Sequence, residues 1–199
     1  MSARRNLPVT AVILLVVLAA TGCGYKIFVK TVVSPEAPAP LEPGAAIHIQ
    51  ESAGLEGWGE VSTAGKIEGL LEEHGYGVTD SSEADFLLFY DYSKDAMLGK
   101  KQVEPLSGGA SGVHSVRKEG PYLHRLTISV VSAEPYLTRK ESEVVWAGGA
   151  VTELTSLHSP KTLDLLLVAV FDRFSTDTGE TLDLRMNLNN PRAARLREP

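Results

Sequence analysis

The sequence predicts a single α+β domain: a mixed or antiparallel sheet of four to five strands with two helices on one face, in the order β-α-β-β-β-α. Three observations predict it. Leu126, Ile128 and Val130 alternate with Thr127 and Ser129, the period of a half-buried strand. Segments 61–74 and 160–174 carry apolar residues three and four apart, the period of an amphipathic helix. These patterns are interleaved along one chain of 199 residues without an internal repeat, a length that suits one core better than two.

Taken in order, Ile47 and Ile49 alternate with His48 and Gln50 in a short strand near the expected start of the folded body at Ala45. Val61, Ala64, Ile67, Leu70 and Leu71 define the first helix, and Gly75 behind it suits a left-handed C-terminal cap. Phe86-Leu87-Leu88-Phe89-Tyr90 is apolar on both faces, as in a central strand. Residues 93–121 are polar and glycine-rich and read as a long loop. Segments 123–131 and 143–153 then form an antiparallel pair with a turn over 133–142. Ser159 and Pro160 suit the start of a second helix. Leu163, Leu166, Leu167, Val170, Phe171 and Phe174 give that helix one apolar stripe, which Leu165 and Val168 widen. Leu182, Leu184, Met186 and Leu188 alternate as an edge strand.

The N-terminus supplies an address. Arg4 and Arg5 precede an unbroken apolar run from Ala11 to Ala20, and small residues lead to Cys23, the only cysteine. This is the order of a secretory signal. Ten residues fall far short of the ~20 that span a bilayer. Ala20-Thr21-Gly22-Cys23 resembles a bacterial lipobox, with Ala20 where leucine is usual. The resemblance implies diacylglycerol on the Cys23 sulfur, cleavage before Cys23 and an N-acyl chain on the new terminus. The expected organisation is therefore a signal peptide over 1–22, a lipidated N-terminus and proline-rich tether over 23–44, a domain over 45–188 and a disordered tail over 189–199. Within that tether, Tyr25–Val33 is short, mixed and β-prone, whereas 34–44 holds four prolines, a density that favours extended polyproline geometry.

Charge and chemistry narrow the function. Arg4 and Arg5 leave with the leader, taking the formal net charge from −6 to −8 on 177 remaining residues. An acidic balance argues against nucleic acid and gives no net attraction to anionic lipid. Membrane attachment then falls to the acyl chains, each buried methylene contributing about 0.8 kcal/mol. His48, His74, His114, His124 and His158 form no metal-binding pair four residues apart. The glycine-rich stretches 54–59 and 107–112 lack the phosphate-loop ending and the dinucleotide-binding spacing. Asp85 and Asp91 would lie about 20 Å apart on a strand, too far for concerted acid–base work, and Asp95 lies farther along. No catalytic residue, metal or other cofactor is assigned, and the chain is read as a non-enzyme. Trp146 reads as core. Trp58, Tyr90, Tyr92 and Tyr122 are the candidate partner surface.

Several motifs carry a family resemblance. Leu70-Leu71-Glu72-Glu73-His74-Gly75-Tyr76 precedes Ala84-Asp85-Phe86-Leu87-Leu88-Phe89-Tyr90, and Val144-Val145-Trp146-Ala147-Gly148-Gly149-Ala150 follows later. Over about 45–174 this resembles a widespread family of uncharacterised bacterial envelope lipoproteins, with a Lys-Gly-Tyr helix end, an Ala-Asp-Leu-Leu-Val strand and a Val-Trp-x-Gly strand. His74 stands for the usual lysine, the Asp-x-x-Thr turn is replaced by 132–135, and the first strand lacks an aromatic pattern. The family brings no catalytic residues. Cys23-Gly24-Tyr25 is also similar to the mature start of the lipopolysaccharide-assembly lipoprotein that plugs an outer-membrane translocon, although a proline tether departs from it. The expected function is a non-catalytic, lipid-anchored accessory or interaction module with an envelope protein partner. In a two-membrane envelope, Gly24, where aspartate would resemble an inner-membrane retention signal, predicts the outer membrane, facing the periplasm. The alternatives are a lipopolysaccharide-assembly-type lipoprotein and, behind it, an envelope hydrolase.

Overall fold

A computed structural model describes residues 24–37, 41–50, 62–97, 121–154 and 159–198. The leader, Cys23, Trp58 and the glycine-rich stretches 54–59 and 107–112 lie outside the described residues. The described residues form a seven-stranded mixed sheet in the order β3-β2-β4-β5-β6-β1-β7. The strands are β1 (Tyr25–Val33), β2 (Ala46–Gln50), β3 (Gly77–Val78), β4 (Phe86–Ala96), β5 (Tyr122–Ser132), β6 (Val144–Leu154) and β7 (Leu182–Met186). The helices are α1 (Thr63–Glu73), α2 (Ala133–Arg139), α3 (Ser159–Phe171) and α4 (Pro191–Arg195). β2 runs parallel to both β3 and β4, and the other pairings are antiparallel.

The expectation of four to five strands and two helices is therefore corrected, although the class remains α+β. The largest correction concerns β1. Read from sequence as part of a tether, Tyr25–Val33 lies between β6 and β7. Ile27, Val29 and Thr31 are fully buried, whereas Phe28 and Val32 on the other face are 43% and 44% exposed. Apolar residues on both faces blur the alternation that identifies a strand. The proline-rich 34–44 is correspondingly a connection from β1 to β2. It is pinned to the end of α1 by Tyr76 Oη donating to Leu41 O at 3.2 Å and Gly44 N donating to Gly75 O at 2.8 Å.

α1 begins as its sequence dictates. The Ser62 side chain caps it by accepting from Gly65 N at 3.0 Å. At the other end Gly75 adopts φ 82°. Gly75 N donates to Glu72 O and Tyr76 N to Leu71 O, the paired bonds of a Schellman ending. α3 lies across β5, β6 and β1, and every residue from Thr162 to Phe171 is buried. A helix buried all round needs cover on every side; the sheet, α1 and α4 supply it. Trp146 is fully buried beneath this layer, its ring centroid 4.7 Å from that of Phe174.

The two short helices were not expected. α2 falls in the segment read as a turn and packs on the opposite sheet face, where Leu87, Val131 and Ala133 form a small cluster with Tyr136. Pro135 lies in its first turn, where a missing N–H costs little. α4 falls in the segment read as a disordered tail. Asn190 caps it by accepting from Arg192 N and Ala193 N. Arg192 ties it to Glu73 of α1 at 2.9 Å and to Asp172 just beyond α3.

Candidate functional site

Strand register places Tyr90 and Tyr92 on the helix-covered face of β4, opposite Ile128 and Leu126. They are only 6% and 8% exposed, so they do not form the open partner surface expected of them. Tyr122, at the start of β5, is half-buried, and the Lys94 ammonium sits 4.3 Å from its ring centroid. Tyr92, Tyr122 and Lys94 stand around His124, fully buried on the same face. Its Nδ1 lies 2.6 Å from Tyr92 Oη, while its Nε2 has no hydrogen-bond partner among the described residues. Burial holds the imidazole below its ordinary value of 6.5, and Lys94 adds to the effect.

Asp91 does not join this group. It stands opposite Thr127 on the other face, as Asp95 stands opposite Leu123. A gathering of Asp91 and His124 in one pocket, which a hydrolase reading needs, is not formed. His74 caps α1 between Phe171 and Phe174. Desolvation lowers its pKa, Arg192 lowers it further, and Asp172 and Glu73 oppose them. Among the described residues no three histidine, cysteine, aspartate or glutamate side chains could hold a metal ion.

The depressed imidazoles make stability depend on pH. An unfolded histidine takes up a proton as pH falls through its ordinary value of 6.5, while the buried ring of His124 does not. The unfolded state then binds more protons, so stability is retained above this window and lost below it. Urea midpoints should fall between about pH 7.5 and 5.5. His124→Gln should flatten that dependence; an unchanged pH slope would remove His124 from it.

Two charged constellations were not legible in the sequence. In the first, Lys66 of α1 and Asp164 of α3 meet at 2.8 Å with 3% and 0% of their side chains exposed. Arg197 Nε approaches the second Asp164 oxygen at 3.5 Å. Desolvation nevertheless raises the Asp164 carboxyl above its ordinary range, outweighing both cations. The second is an open cleft of about 800 Å³ at the sheet end where β2 and β4 begin. Glu42, Asp85, Glu134 and Glu143 contribute carboxylates, with Arg139 the one cation in its lining. Arg139 is held by Glu141 at 3.0 Å. Asp85 also accepts from Ala46 N at 2.9 Å, fixing the start of β2. Phe86 and Pro135 add apolar wall. Such a lining attracts cations, and no local motif announces it because its residues are spread over a hundred positions.

Fold and site together define an α+β domain with one sheet face covered by α1 and α3, the short α2 on the opposite face, and an acidic cleft at one end. No family model matches the chain, and no curated protein does. Among solved structures, the PelC dodecamer from Paraburkholderia phytofirmans is 12% identical with a TM-score of 0.39, over 76% of this chain and 98% of that one. A point variant of the same dodecamer gives 12% identity and a TM-score of 0.42, over 75% and 98%. A PDZ domain protein from Parabacteroides distasonis is 16% identical with a TM-score of 0.48, and the match spans 85% of this chain but only 41% of that one. At these scores the likenesses carry no argument about what this chain does.

Proposed function

We propose that the protein is a non-catalytic, lipid-anchored lipoprotein of the bacterial outer membrane, facing the periplasm and acting as an envelope accessory or protein-interaction module. The observation that carries this reading is the Ala20-Thr21-Gly22-Cys23 sequence behind a charged and apolar leader. The fold is compatible with it in one specific way: the first strand starts at Tyr25, two residues after the cysteine. The test is metabolic labelling with radioactive palmitate. The wild-type chain should incorporate label and float with membranes. Cys23→Ser should remain unprocessed and unlabelled, and a labelled serine variant would overturn the reading.

The early start of β1 also favours the second reading, a lipopolysaccharide-assembly-type lipoprotein. In that lipoprotein the first strand begins soon after the cysteine, as Tyr25–Val33 does here, with the prolines of 34–44 behind it. This reading predicts lipid that copurifies on mild extraction; its absence from mass spectra would count against it.

A further inference from the structure

Strand register sorts the two ends of the sheet by chemistry. At the end where the chain enters β1, the terminal positions of five strands are Ala96, Tyr122, Leu154, Tyr25 and Met186. None carries a charge. Tyr25 and Tyr122 are half-buried, and Met97 beside them is 42% exposed. One position inward Lys26, ion-paired with Asp183 at 2.7 Å, stands opposite Arg185, both exposed. Lys94 follows behind Tyr122; Asp95 and Glu153 share this inner row as its carboxylates. The opposite end holds the cleft with Glu42, Asp85, Glu134 and Glu143. β4 runs from one end to the other over 11 residues, so the two poles stand roughly 35 Å apart.

We infer that the Tyr25–Tyr122–Met97 end of the sheet rests on the phospholipid surface and turns the acidic cleft away from it. This deepens the lipid-anchor reading and rests on it. Two residues of extended chain reach at most about 7 Å, so acyl chains on Cys23 hold Tyr25 at headgroup level. A long tether would leave orientation free; a strand that starts at Tyr25 does not. The chemistry of this end suits that position. Tyrosine rings are at home where apolar and aqueous media meet, and an arginine such as Arg185 reaches from such a surface to phosphate. Carboxylates at the other pole are repelled by anionic headgroups.

The experiment uses the full-length, lipidated protein reconstituted in vesicles of phosphatidylethanolamine and phosphatidylglycerol. Acylation occupies the Cys23 sulfur, so a cysteine introduced at an exposed position is the only free thiol. Met97→Cys and Leu137→Cys, at opposite poles and 42% and 43% exposed, are each labelled with an environment-sensitive fluorophore. Headgroup-level quencher lipids should quench the label at position 97 severalfold more than that at 137. Equal quenching, or stronger quenching at 137, in palmitate-labelled protein would overturn the orientation while leaving the anchor intact. Protein that takes up no palmitate would remove the anchor and the orientation together.

Discussion

Replacing Lys66 by methionine is expected to destabilise the domain by about 3–5 kcal/mol, the usual cost of stranding one partner of a buried ion pair. Asp164 is fully buried, and one of its oxygens already lacks a hydrogen bond. Without the Lys66 ammonium at 2.8 Å, Arg197 at 3.5 Å is the cation left beside the carboxylate among the described residues. The loss should depend on pH in a defined direction. Burial raises the Asp164 carboxyl even with both cations in place, and deleting one raises it further. The folded state of the variant then binds the extra proton, so its deficit relative to wild type grows as pH rises from about 4 towards neutrality. Denaturant titrations of both proteins across that range would measure it. The double replacement Lys66→Met with Asp164→Leu should recover most of the loss, since an apolar pair needs no compensation for lost hydration. A Lys66→Met variant as stable as wild type at neutral pH would show that the pair is not buried as described.

Gly148→Ala is expected to lower stability by about 1–3 kcal/mol through overpacking. A Cβ there would stand 2.5 Å from Trp146 Cη2, 2.7 Å from its Cζ2 and 2.9 Å from Val170 Cγ1. The indole cannot move aside cheaply. It is fully buried against Phe174, and its Nε1 donates to Thr176 O at 3.2 Å. In a Trp146→Phe background the cost of the alanine should shrink, because the two indole carbons it strikes are absent. A thermal-melt double-mutant cycle reads that coupling, and strictly additive losses would show that the ring does not set the requirement for glycine.

These two sites show where sequence reading ends. Trp146 was legible as core, because a large aromatic beside Val144 and Val145 has few other places to go. Its contact with Gly148 needed the pleat, which puts residues two apart on one face. Lys66 and Asp164 are 98 positions apart, and each looks like an ordinary exposed charge on a helix; only the packing of α1 against α3 turns both inward. Tyr90 and Tyr92 were misread for the same reason. A run that is apolar on both faces does not say which of them the helices cover.

The sequence by itself determined the elements whose signals are local. α1 is written in its apolar spacing and in Gly75, the middle strands in their alternation, and α3 in its broad stripe. The edge position of β7 also follows from alternating polar residues, and it is where that strand lies. Tertiary structure alone decided the rest. β1 joins the sheet because Ile27 and Val29 fill the face beneath α3, and its neighbour β6 comes more than a hundred residues later. α2 and α4 are too short to stand without the surfaces they dock on. The acidic cleft exists only because four strand ends and α2 converge. Periodicity reports which side of an element is apolar; what covers that side is settled by distant segments, whose pairing carries no local mark.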